Sequence, residues 1–118
     1  MRTIIAGSRN VTDYNIINFV MFKIDWKPTE IISGTANGVD KLGEQWAIKN
    51  NIPLKQYPAD WNKYGKSAGY KRNLLMAENA DALVAIWDGI SKGTKHMIDI
   101  AKKKNIKTFI YIIRENND

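Results

Sequence analysis

Three times in this chain a short apolar run of β-forming residues ends in a glycine-bearing turn, and helical periodicity follows. The turns read Gly7-Ser8-Arg9, then Ser33-Gly34-Thr35-Ala36-Asn37-Gly38-Val39-Asp40, then Asp88-Gly89-Ile90-Ser91-Lys92-Gly93-Thr94. The runs before them are residues 3–6, 30–33 and 82–87. The last of these is apolar throughout, as expected of a strand buried on both faces. Behind the first turn, Ile17, Val20, Met21 and Ile24 share one face of a helix over residues 13–24, which Thr12 or Asp13 is placed to cap. Behind the second, Val39, Leu42, Gly43, Trp46 and Ala47 follow the same 3.6-residue period.

Two more strands are read at residues 53–57 and 108–113, and two more helices at 70–78 and 93–104. The resulting alternation predicts an α/β fold, a Rossmann-like doubly wound parallel sheet of five strands in the order 3-2-1-4-5. That order puts the topological switch between the first and fourth strands, where open α/β sheets take their ligands. In such a sheet, turns that leave strands for helices lie along the carboxyl edge, so all three glycine turns gather there. Residues 58–70 read as a long polar and aromatic loop, and residues 114–118 as a polar tail expected to fray.

A chain of 118 residues is expected to form one domain over its whole length, 1–118. It has no cysteine, which excludes disulfides and thiolate metal sites and fits a reducing compartment. The first residues are too short an apolar run for a signal peptide, and no later run is long enough to span a bilayer. A cytoplasmic protein with no membrane partner is the expectation. The net charge of +6 favours anionic partners, although Lys102, Lys103, Lys104 and Lys107 also suit the end of a helix on electrostatic grounds alone.

The turns define the candidate site. Glycine lets backbone N–H groups approach an anion, and the helix N-terminus behind each turn adds partial positive charge. Gly7, Gly34, Gly38, Gly89 and Gly93 are each explicable by a tight connection. Together with the hydroxyls of Ser8, Ser33, Thr35, Ser91 and Thr94 they point to a phosphate-bearing ligand. Arg9 and Arg72 are the best charged candidates, because a guanidinium grips phosphate through two parallel hydrogen bonds. Lys66, Lys71, Lys92 and Lys95 add positive field or are solvated surface lysines.

Trp61, Tyr64 and Tyr70 offer faces for a base, or cover for a sheet edge or subunit contact. Trp46 and Trp87 suit the core or the pocket wall, with the Trp87 N–H near the site. Asp40 suits the first turn of a helix structurally; Asp88 suits either a ribose hydroxyl or the turn before Gly89. His96, the only histidine, has no partner acid in the sequence pattern, and no cluster has metal-ligand spacing. Neither a cofactor nor a metal is expected.

The stretch Arg72-Asn73-Leu74-Leu75-Met76-Ala77-Glu78-Asn79-Ala80-Asp81-Ala82, with Asp88-Gly89 and Gly93-Thr94, resembles the SLOG superfamily of Rossmann-like domains. That superfamily includes the cytokinin-activating phosphoribohydrolases and the DNA-processing protein DprA/Smf. Ser33–Asp40 and Arg72-Asn73 are similar to the DprA pattern. Gly7-Ser8-Arg9, Ala59-Asp60-Trp61 and the run from Trp87 to Thr94 are together most similar to the short YspA-like branch, found in phages and bacteria and of unknown function.

The resemblance implies a nucleotide-type ligand held by Gly7, Ser8, Arg9, Ser33, Gly34, Thr35, Asp40, Trp61, Arg72, Asn73, Trp87, Asp88, Gly89, Ser91, Gly93 and Thr94. It also implies a homo-oligomer. One departure bears on chemistry: where the phosphoribohydrolases carry a glutamate three residues after Gly-Thr, this chain has Met97. Sensing or sequestration of a nucleotide-derived ligand is therefore the leading expectation. In a phage, the implied target is a defence signal such as a cyclic oligonucleotide or an ADP-ribose derivative. A phosphoribohydrolase using another acid, and a DprA-like binder of single-stranded DNA, are the alternatives.

Overall fold

A computed structural model describes residues 1–113, so the tail read at 114–118 lies outside the described residues. The chain alternates β1 (Arg2–Gly7), α1 (Tyr14–Lys23), β2 (Glu30–Ser33), α2 (Val39–Lys49) and β3 (Leu54–Gln56). It continues through α3 (Trp61–Tyr64), a 3₁₀ turn (Gly65–Ser67), α4 (Ala68–Glu78), β4 (Ala82–Trp87), α5 (Lys92–Lys103) and β5 (Lys107–Ile112). All five strands pair in parallel, in the order β3-β2-β1-β4-β5. This is the α/β topology that the alternation predicts.

Period-two alternation along the strands builds two cores. Ile4, Ala6, Ile32, Leu83 and Ala85 pack under Met76 and Ala77 of α4 and Met97, Ile98 and Ala101 of α5. Their neighbours Ile5, Ile31, Val84 and Ile86 face the other way, under Ile17, Val20 and Met21 of α1 and Val39, Leu42 and Ala47 of α2. The central strands β1 and β4 are thus buried on both faces, while the three-residue β3 forms one edge. Asp13 caps α1 by accepting from the Asn15 N–H at 3.0 Å.

The segment read as a loop over 58–70 is more ordered than its composition suggests. Asp60 accepts from the Lys63 N–H at 3.0 Å and starts the short α3. The 3₁₀ turn then carries the chain into α4 two residues earlier than its apolar period begins, at Ala68. Ala68 is buried, so the early start is fixed by packing. Among the described residues no helix is long and apolar enough to cross a membrane.

Candidate functional site

The strand β1 ends at Gly7, where the sheet leaves almost no room. A methyl group there would lie 2.1 Å from the Ile86 carbonyl oxygen and 2.7 Å from Val39 Cγ2, so only glycine lets β1, β4 and the start of α2 meet. Ser8 then links the three. Its N–H donates to the Ile86 carbonyl at 3.1 Å, and its carbonyl accepts from the Val39 N–H at 3.2 Å. Its hydroxyl accepts from the Asp88 N–H at 3.0 Å. Gly38 precedes Val39 with a φ of 78°, and a side chain there would strike the carbonyls of Ser8 and Arg9. The turns after β1, β2 and β4 are therefore brought together along one edge of the sheet.

Above them lies a cleft of about 240 Å³. Its floor is apolar, made by Ala6, Met76 and Met97, and its rim is polar. Arg9, Asp40 and Arg72 stand on one side, Ser91, Gly93 and Thr94 on the other, with Asn73 between and Trp61 and Tyr70 as walls. A second hollow of about 320 Å³ adjoins it, lined by Gly34, Thr35, Ala36 and Asn37. Arg9, Ala36, Trp61 and Arg72 belong to both and form the waist between them.

Arg72 is the best-anchored cation. It is partly buried, donates from Nη1 to the Gly34 carbonyl, and donates from Nε to Asn73 Oδ1 at 3.2 Å. Burial pushes its pKa down, with Asp40 pulling the other way. Asp40 is only 6% exposed and accepts from the Ala36 N–H at 3.0 Å. Burial pushes its carboxyl up to about 6, against the opposing pull of that N–H and of Arg72. On the far side, Ser91 is the N-cap of α5 but its side chain makes no cap bond, so the first N–H groups of the helix have no cap acceptor from it. The Ser91 and Thr94 hydroxyls lie 3.2 Å apart.

Of the residues singled out from the sequence, Gly7, Arg9, Asp40, Trp61, Arg72, Asn73, Ser91, Gly93 and Thr94 line the main cleft, and Gly34 and Thr35 line its neighbour. Ser8, Ser33, Trp87, Asp88 and Gly89 line neither. Ser33 is buried, donating to Glu44 Oε2 at 2.7 Å and accepting from the Thr35 N–H. That bond helps hold Thr35 at a φ of 65°. The Trp87 indole N–H donates to the Ser91 carbonyl at 3.0 Å. Asp88 accepts from the N–H groups of Ile90 and Ser91, both at 2.8 Å, and so closes the turn that runs through Gly89. These residues build the turns from below.

The sequence reading passed over Gly69 and Met76. Both lie one helical turn from Arg72, at i−3 and i+4, and that spacing on α4 could have found them. Met97 reaches the cleft floor at 1% exposure, so no carboxylate stands where the phosphoribohydrolases would have one. Among the described residues no group of histidines and acids could hold a metal ion.

Comparison with known proteins adds a family to this geometry. The model of the YspA, cpYpsA-related SLOG family matches residues 1–64. The chain belongs to this family. The matched region contains the β1 turn, the β2 turn through Asp40, and Trp61; the cleft residues on α4 and at the start of α5, Arg72 among them, lie beyond it. The Gene 61 protein of Mycobacterium phage D29 is 34% identical over 82 residues, 64% of this SLOG chain. The aligned part spans 66% of the phage protein's length.

Proposed function

We propose that this cleft binds a nucleotide or nucleotide-derived ligand and holds it intact, as a sensor or a sequestering protein. The observation that carries the reading is the convergence of Arg9, Arg72 and the uncapped start of α5 on one cleft with an apolar floor and an exposed tryptophan wall. Guanidinium groups and free helix N–H groups suit phosphate, while Trp61, Tyr70 and the two methionines suit a base or sugar. Similarity to a phage gene product supports sequestration of a host signal nucleotide as the biological setting.

Melting temperatures measured with a panel of nucleotides, cyclic dinucleotides and ADP-ribose derivatives test this directly. A ligand at a hundred times its Kd stabilises the folded state by about 2.7 kcal/mol, which is about 10 °C for a chain of this size. Mass analysis should recover that ligand unchanged. Arg72→Ala should weaken its binding by about tenfold or more, the worth of a charged hydrogen bond. Affinity within twofold of the original would remove Arg72 from the reading.

One observation favours a second reading. Asp40 is an acid in the cleft whose pKa is lifted to about 6, close to what proton transfer near neutral pH requires. If the stabilising nucleotide is recovered as free base and sugar phosphate, and Asp40→Asn stops its release, the protein is an N-glycosidase with Asp40 in place of the absent glutamate.

A further inference from the structure

Arg72 does not stand alone in its cleft; it is the end of a chain of side-chain hydrogen bonds that begins outside it. The Nε–H of Arg72 donates to Asn73 Oδ1 at 3.2 Å. The Asn73 amide nitrogen lies 3.3 Å from the Gly93 carbonyl and 3.1 Å from His96 Nδ1. Asn73 is buried at 7% exposure, so a mismatched bond there is costly. The polarity of this chain is then determined. A guanidinium N–H can only donate, so the Asn73 oxygen must face Arg72 and its NH₂ must face His96. His96 Nδ1 must accept, which puts the imidazole proton on Nε2.

We propose that Asn73 and His96 are positioning residues that hold the Arg72 Nε–H at the cleft, and that protonation of His96 frees that N–H and leaves Arg72 tethered by the Gly34 carbonyl alone. An imidazolium carries a proton on both nitrogens, so Nδ1–H would meet the Asn73 NH₂, donor against donor. If the Asn73 amide turns over to accept from His96, its NH₂ then meets the Arg72 Nε–H instead. The first arrangement sets two donors against each other; the second relieves that clash but costs Arg72 its side-chain acceptor and costs the Gly93 turn its amide partner. The two protonation states of one exposed-side histidine thus correspond to two states of the cleft's principal cation.

The surroundings of His96 favour the neutral form at ordinary pH. The Tyr70 ring packs against it, tilted by 56° with centroids 4.3 Å apart, and burial pushes its pKa down against the pull of Asp99. Asp99 is itself paired with Lys95 at 2.8 Å, and Lys102, Lys103 and Lys104 share the groove beside the ring. From α4, Tyr70 and, through Asn73, Arg72 complete the set of groups facing it.

His96 is the only histidine in the chain, so ¹⁵N spectra of the ligand-free protein report it without ambiguity. The expected result is an Nε2–H tautomer that titrates below the usual imidazole value. The Arg72 Nε–H resonance should exchange with solvent about tenfold faster once His96 is protonated, with the same midpoint. His96→Asn puts an amide oxygen where Nδ1 was; the Arg72 resonance should persist and lose its pH dependence. Asn73→Ala should lose it at every pH. An Nδ1–H tautomer, or an Arg72 signal indifferent to His96 titration, would overturn the proposal, and wild type and His96→Asn decide it even if Asn73→Ala does not fold. The functional weight of this device rests on Arg72 serving the ligand. Because the spectra need no ligand, a cleft that bound no nucleotide would sink that reading while these measurements still judged the relay.

Discussion

Replacing Asp40 by asparagine should make the protein more stable at neutral pH, and the gain should vanish in acid. The carboxyl rises from 3.8 to about 6 on folding, chiefly through burial. Between those values the folded chain binds a proton that the unfolded chain does not, so stability falls as pH rises through this window. Above about pH 6 the full cost of the buried charge is present. At about 1.4 kcal/mol per pH unit it comes to about 3 kcal/mol. Asparagine keeps the acceptor for the Ala36 N–H and carries no charge, so it recovers much of this. For a chain of this size, the gain at pH 8 is about 4 to 12 °C in melting temperature.

By the same linkage about one-third of the difference should remain at pH 4.5 and almost none near pH 3. The depressed carboxyls of Asp25, Asp81, Asp88 and Asp99 titrate in both proteins and cancel from the comparison. Thermal melts of the two proteins between pH 3 and 8 are sufficient. If Asp40→Asn is no more stable at pH 8, or the difference is constant with pH, then Asp40 is not a charge held against its solvation. A stabilising substitution that costs ligand affinity would identify Asp40 as a residue whose stability is traded for function.

Two other substitutions separate architecture from binding. Gly7→Ala puts a methyl group 2.1 Å from the Ile86 carbonyl and should cost about 3 kcal/mol or more; an unchanged urea midpoint would contradict the close approach of β1 to β4. Trp61→Ala removes a side chain that is 53% exposed, so stability should hold while affinity for the stabilising nucleotide falls about fivefold to a hundredfold, as loss of a stacked base implies. Unaltered affinity in a titration would take Trp61 out of the cleft's function.

The sheet was legible because its signal is redundant. The central strands are short apolar runs closed by turns, most helices have a 3.6-residue face, and the strand order follows from connecting them without crossings. What escaped was short or depended on distant partners. The helix at Trp61 is a single turn, started by the local bond from Lys63 to Asp60, and a segment so rich in polar and aromatic residues gives no period to read. That the glycine turns would meet along one edge was legible because turns from parallel strands to helices share the carboxyl edge of the sheet. Which hydroxyls would face the cleft was not. Ser33 turns inward because Glu44, eleven residues on, lies buried beside it, and Ser8 turns toward Asp88, eighty residues away. No local pattern distinguishes an inward serine from an outward one.

The three bonds made by Ser8 have an evolutionary consequence. They tie the turns together through two backbone–backbone bonds and one buried hydroxyl, and none of them uses a side chain that faces the cleft. Arg9, Trp61 and Tyr70 are largely exposed and can be exchanged without loosening the ring of turns beneath them. The chemistry that this cleft presents is free to drift one surface residue at a time. Substitutions at the exposed wall of the cleft can thus accumulate while the sheet edge that supports it stays as it is.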